Sequence, residues 1–246
     1  MANDSFQIGN TYRQVINAWR GYVGDKVRLD SDNGWSERRI LFFLLAARSK
    51  LLATKKNSKE SLSSHNYQTI GCIPLVEVDQ NECPCAPASG CTFLRTACPI
   101  PQTIGGFKSV TSLTGNISYS SVEWDKMKYK LCSRMPAEAN APYYTTKTGK
   151  DGTYLYLHND DHKKFISVTA IWENPIEVQC FPDCEGKVDA CIRPLDKSFI
   201  IDPELVFTLY DRALASLLRY KAVATDVVNN HQDDLARSGV IGPTLK

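Results

Sequence analysis

Residues 202–230 read as one capped, strongly periodic helix, and a chain that closes this way must supply an apolar surface for the helix to lie on. Asp202-Pro203-Glu204 gives an oxygen cap, a proline suited to the first helical position and an acid in the first turn. Leu205, Val206, Leu209, Leu214, Leu217, Leu218, Val223, Val227 and Val228 then mark an apolar stripe, widened by Tyr210, Ala213, Tyr220 and Ala224. At about 1.5 Å per residue, Leu205 to Asn230 would extend roughly 40 Å. That exceeds what one small core needs, so helix-to-helix packing within or between subunits is expected. The tail from His231 to Lys246 is polar, contains Gly239 and Gly242-Pro243, and is expected to order against a partner.

The other end is helical too. Thr11 to Tyr22 places Tyr12, Val15, Ile16, Trp19 and Tyr22 on one face, with Gly21 and Gly24 as a plausible stop. Ser36 caps a second helix running to about Ala53, with Glu37 in its first turn. This helix leaves through Lys50, Lys55, Lys56 and Lys59, a patch that suits the negative helix end and alternatively suits DNA phosphates or an acidic partner.

Between these ends the rhythm changes to strands and turns. Ile70 to Val78 reads as a strand interrupted at Pro74. Phe107 to Leu113 and Ile117 to Val122 read as a hairpin about Thr114-Gly115-Asn116. Tyr154 to His158 and Phe165 to Trp172 read as two more strands with Asn159 to His162 as their tip, and Pro175 to Cys180 and Phe199 to Ile201 as short ones. Lys126, Lys128 and Lys130 alternate with Met127 and Tyr129 as an edge strand would. No βαβ spacing occurs, which favours antiparallel pairing in a sheet or small barrel. The expected fold class is therefore α+β: the terminal helices packed as a helical module, with an antiparallel β-rich region inserted between them. The divisions are a helical section over 1–60, a β-rich, cysteine-containing insertion over 61–201, and the closing helix and tail over 202–246.

Chemistry is hard to find in this pattern. Nine cysteines are an odd number, and with no export signal at Met1-Ala2-Asn3-Asp4-Ser5, cytosolic disulfides are not expected. Cys83, Cys85, Cys91 and Cys98 could hold zinc, but C-x-C with five- and six-residue gaps lacks paired C-x-x-C knuckles, and Cys180, Cys184 and Cys191 are spaced as irregularly. Free, metal-bound and disulfide-bonded states all stay open. His158 and His162 with the intervening acids read more simply as a polar turn, and none of the four histidines sits in a nucleophile context. Gly105-Gly106 precedes a strand rather than a helix, so no phosphate loop is present. No catalytic, cofactor-binding or metal-ligating residue is nominated, and no cofactor is expected. A net charge of +2 makes no bulk case for nucleic-acid binding, and the longest apolar run, Ile40 to Ala47, is too short to span a membrane.

The layout resembles the ring, or head-to-tail connector, proteins of short-tailed, crAss-like bacteriophages. The likeness is carried by TYRQVINAWRGYV and WSERRILFFLLAARSKLLATKK, by the middle stretch IPLVEVDQNECPCAPASGCTFLRTACPIPQTIGGFKSVTSLTGNISY, and by the closing DPELVFTLYDRALASLLRYKAVATDVVNNHQDDL. The resemblance implies a non-enzymatic virion protein, made in the host cytoplasm, that forms a closed homo-oligomeric ring, usually of twelve copies in that family. It implies contacts with the portal protein and with neighbouring ring or tail proteins, packaged DNA passing through the lumen without sequence-specific binding, and no membrane. Under this reading Leu209, Leu214, Leu217 and Leu218 pack the ring, and aspartate at both 217 and 218 abolishes assembly. A decoration, tail-hub or cargo protein of the virion, and a zinc-stabilised intracellular binding module, are the alternatives.

Overall fold

The computed structural model of the chain describes residues 10–26, 36–78, 94–131, 141–158, 164–179, 181 and 193–220. Helix α1 spans Tyr12–Lys26. Thr11 and Gln14 form a reciprocal cap at its start: Gln14 N–H donates to Thr11 Oγ1 at 3.3 Å, and Thr11 N–H donates to Gln14 Oε1 at 2.8 Å. The expected stop at Gly21 and Gly24 does not occur. The apolar face of Tyr12, Val15, Ile16 and Trp19 continues to Val23, which is fully buried, and that burial offsets the cost of about 1 kcal/mol per helical glycine. Helix α2 spans Glu37–Asn57, with Ser36 Oγ accepting from Arg39 N–H.

The strands are β1 (Gln68–Glu77), β2 (Leu94–Thr96), β3 (Thr103–Ser112), β4 (Ser120–Ser121), β5 (Tyr143–Gly149), β6 (Gly152–His158) and β7 (Phe165–Trp172), with a short helix α3 over Trp124–Leu131. They form one sheet in the order β3-β7-β1-β2-β6-β5-β4. β1 spans two neighbourhoods: residues 68–74 pair with β7, and residues 75–77 with β2. Its irregularity lies at Gly71-Cys72, where Cys72 has a φ of 57° and the register shifts, and not at Pro74, which keeps its place opposite Phe165.

The sheet curls back on itself. After the turn at Thr114–Asn116, Ser112 N–H donates to Ile117 O and Tyr119 N–H to Val110 O. The same segment then leaves β3 and runs parallel to β5, pairing Ser120 with Tyr143 and Ser121 with Tyr144. Only the first half of the expected hairpin arm is therefore a hairpin, and β4–β5 is a parallel pair in an otherwise antiparallel sheet. Inside, Ile73, Leu155, Leu157, Ile166, Val168 and Trp172 are fully buried, and Phe107 stacks edge-on near Tyr144 with ring centroids 5.8 Å apart. On the outer face of β5 and β6, Tyr143 and Tyr156 are covered by Trp124 of α3.

Four expectations are corrected. Strands β6 and β7 are not a hairpin; β6 pairs with β2 and β5, and β7 with β1 and β3. Residues 124–131 are helical rather than an edge strand, with Asp125 in the first turn and Lys126 reaching back to Glu123 at 2.7 Å. Pro175–Gln179 is a helix, α4, because Asn174 Oδ1 accepts from Ile176 N–H and Pro175 suits a first turn. Phe199 to Ile201 is no strand: Ser198 makes a single bridge to Thr11, and Phe199 N–H donates to Asn10 O.

The closing helix enters through a 3-10 turn at Pro203–Leu205, where Asp202 accepts from Glu204 N–H. Its described part, α5, covers residues 206–220. The stretch to Asn230 and the tail from His231 lie outside the described residues. Helices α1, α2 and α5 share one core, in which Trp19 Nε1–H donates to Tyr210 O and the rings of Tyr12 and Phe199 meet edge-on at 5.1 Å.

Candidate assembly interface

Helix α2 lies in the helical core and reaches the sheet through Leu52, and its polar side chains fix it there. Arg48 has no exposed surface, yet its Nε–H donates to Ile200 O at 2.6 Å and its Nη1–H to Trp172 O at 2.8 Å. Burial lowers its pKa to about 10, with Tyr12 opposing the shift, so it stays charged at neutral pH. The next residue, Ser49, donates from Oγ to Glu173 O at 3.0 Å, and about two turns on Lys56 Nζ donates to Ile104 O at 3.1 Å. Leu52 fills the gap against Ile104 and Ile171. Gly105 is required here: its φ is +70°, and a Cβ would stand 2.7 Å from the Lys56 stem. Asn66 completes the junction, accepting from Asp202 N–H at 3.1 Å just before α5 begins.

With its inner face held in this way, α2 presents Phe42 outward, 67% exposed. Phe42, Leu45, Ala46 and Ser49 form one wall of a cleft of about 480 Å³ whose other wall is Gln102, Glu173, Asn174 and Glu177. The cleft is thus apolar on the α2 side and acidic on the α4 side. Asn174 Nδ2–H donates to Glu177 Oε1 at 2.9 Å and aims that carboxylate.

Helix α5 carries the second outward surface. Val206, Leu209, Tyr210, Ala213, Leu214 and Leu217 face the core. Phe207, 65% exposed, and Leu218, 42% exposed, lie eleven positions apart along one edge of its outer face. Thr208 and Ala215 are small and central, and Arg212 and Arg219 line the other edge. Tyr220 is drawn aside toward α2, its ring near Phe43 and beneath the Arg39 guanidinium. On α1, Tyr22 Oη–H donates to Asp211, anchoring the apolar edge. Exposed aromatic and aliphatic side chains beside arginine are the composition enriched in protein–protein contacts.

The residues singled out from sequence fare unevenly. Leu209, Leu214 and Leu217 serve the protomer's own core, leaving Leu218 alone of the expected ring-packing leucines on the surface. Cys98 is exposed and free, and Cys72 is disulfide-bonded, which corrects the expectation of no disulfides. Cys83, Cys85, Cys91, Cys132, Cys180, Cys184 and Cys191 lie outside the described residues, as do His162 and His231. Among the described residues no three histidine, cysteine or acidic side chains come together as a metal site. Nor, among them, is any helix long and apolar enough to cross a membrane. The lysine patch is partly spent internally: Lys55 pairs with Glu60 at 2.6 Å, and Lys56, its pKa lowered by burial, holds Ile104 O. Sequence reading missed Arg48 and the cleft. A lone arginine between Ala47 and Ser49 in the apolar stretch of α2 was the available signal for the first; the second joins residues over 120 positions apart.

A family model described as phage tail ring protein 2, from the crAss-like phages, matches residues 23–235. No curated protein matches the chain.

Proposed function

The chain belongs to the phage tail ring protein 2 family, and from this premise we propose that it is a connector subunit, forming a closed, dodecameric ring between portal and tail. A ring protein of a phage tail is a structural component of the virion. The proposal adds where the ring sits and what it does: it extends the DNA channel below the portal, lets packaged DNA pass without sequence-specific contact, and offers docking surfaces to neighbouring ring and tail proteins. The work is mechanical, and no catalytic, cofactor or metal-binding residue is assigned to it.

The observation that carries the reading is the outer face of α5, with Phe207 and Leu218 exposed beside Arg212 and Arg219 on a helix whose inner face is already satisfied. Isolated apolar side chains are ordinary on a surface, but an aligned edge on a rigid helix suits a partner. In this proposal residues 1–60 and 202–246 form the ring's helical body, and residues 61–201 the β-rich part that meets adjoining rings or tail components.

Quantitative mass spectrometry of purified virus particles tests the placement. A copy number equal to that of the portal protein is expected. A large excess would instead mean capsid decoration or cargo, and absence from the particle would overturn the connector role.

A further inference from the structure

Resting on the ring reading above, we infer that the outer face of α5 in one copy seats in the cleft between α2 and α4 of the next. A closed ring of identical subunits needs two different, mutually complementary patches on each copy, since a heterologous contact joins the front of one to the back of its neighbour. Two such patches are present. The cleft lines α2 at Phe42, Leu45, Ala46 and Ser49, and α5 meets α2 at the neighbouring positions Phe43 and Arg39 through Tyr220, a residue well round α5 from Phe207 and Leu218, so that the outer face of α5 points away from its own α2. The two surfaces therefore face different directions, and one copy cannot close them on itself.

Their chemistry matches side by side. The cleft offers Phe42, Leu45 and Ala46 on one wall and Glu173 and Glu177 on the other. The α5 face offers Phe207 and Leu218 on one edge and Arg212 and Arg219 on the other, with Ala215 and Thr208 between them leaving room for close approach, and with Asp211 beside the apolar edge already accepting from Tyr22 Oη–H of its own copy. No ion pair engages the Arg212 or Arg219 guanidinium among the described residues. Seating α5 with its apolar edge against Phe42 brings its basic edge toward Glu173 and Glu177, so burial supplies the contact and charge sets its direction. The alternative register, apolar edge on the acids, leaves carboxylates facing leucine and phenylalanine and is disfavoured. The cleft can also keep its shape while loaded, because the donors from Arg48, Ser49 and Lys56 hold α2 against the sheet.

The experiment is a photo-crosslink in the full chain. Benzoylphenylalanine replaces Phe42, the protein is prepared as an equal mixture of light and heavy isotope forms, and crosslinked peptides are read by mass spectrometry after native mass measurement. Mixed-isotope crosslinks from position 42 to residues 207–219 are the expected result. Mixed-isotope crosslinks to any other region, or rings whose position 42 reaches no second copy, overturn this inference while leaving the ring reading intact. A chain that stays monomeric alone and is single-copy in particles sinks both. A charge exchange gives an independent readout: Glu177→Arg lowers the ring-assembled fraction by roughly tenfold, and adding Arg219→Glu restores it. Equal loss in the single and double variants, with both folded by circular dichroism, would refute the pairing.

Discussion

Arg48 carries a full charge into the junction between two apolar cores, held there by two main-chain carbonyls and by no ion pair among the described residues. Removing it leaves Trp172 O and Ile200 O without those donors. Arg48→Met keeps most of the volume and is expected to cost about 3–5 kcal/mol, from two carbonyls at ~1–3 kcal/mol each, read from the urea midpoint. A methionine variant as stable as the wild type would mean that the buried charge only breaks even with an apolar replacement. Tyr210 gives the same region a pH signature. Burial pushes its phenol up to about 12, whereas the unfolded chain releases that proton near the ordinary 10.0. Between those values unfolding releases a proton, so this contribution to stability falls as pH rises. Arg48, lowered toward about 10, acts in the opposite sense over the same range. The comparison of wild type with Tyr210→Phe isolates the tyrosine: the difference stays constant below about pH 9, then shifts in favour of the phenylalanine variant by roughly 2 kcal/mol.

At the level of elements, what could be read from sequence divides by the range of the forces involved. The starts of α2 and of the closing turn were legible, because Ser36 and Asp202 act within three residues of themselves. So were β1, β3 and β7, where alternation records a buried face, and β6, whose continuous Tyr-Leu-Tyr-Leu run is buried on both faces. Strand partners were not, since β6 and β7 are neighbours in sequence but lie on either side of β1 and β2. The hairpin that β6 does make, with β5, turns at Lys150-Asp151 between Gly149 and Gly152, and its first strand, Tyr143–Gly149, went unread because polar threonines obscure the alternation. Two short helices, α3 and α4, went unread as such for a related reason: over five to eight residues a cap outweighs periodicity. Helix α1 shows the converse, with core burial overriding a local stop. That makes Gly24 a test. A Cβ at this position meets nothing within 4 Å, so Gly24→Ala should stabilise the protein by about 0.5–1 kcal/mol, seen as a higher thermal midpoint. A loss of stability would mean that the end of α1 requires glycine for a contact that a methyl group disrupts.

For the whole molecule, the decisive distinction is between the residues that make the protomer and those left over for its neighbours, and periodicity could not draw it. Leu217 and Leu218 are both apolar, adjacent and part of one stripe, yet Leu217 is 1% exposed and Leu218 is 42% exposed. The helix turns about 100° between them, enough to carry one into the core shared with α1 and the other onto the outer face. Changing both to aspartate would confound folding with assembly, so the two substitutions must be made apart. Leu217→Asp buries an unpaired carboxylate and opens a cavity, and is expected to cost more than about 4 kcal/mol, leaving little folded protein by circular dichroism. Leu218→Asp changes an exposed site and is expected to stay within about 1 kcal/mol of wild type in urea. Its effect should appear instead in the native mass, as a shift from ring to monomer, because a charge would face the apolar wall of the neighbouring cleft. A Leu218→Asp protein that is folded and still forms rings would take the outer face of α5 out of the assembly, whereas a folded monomer would tie ring formation to the one edge of this helix that its own core does not use.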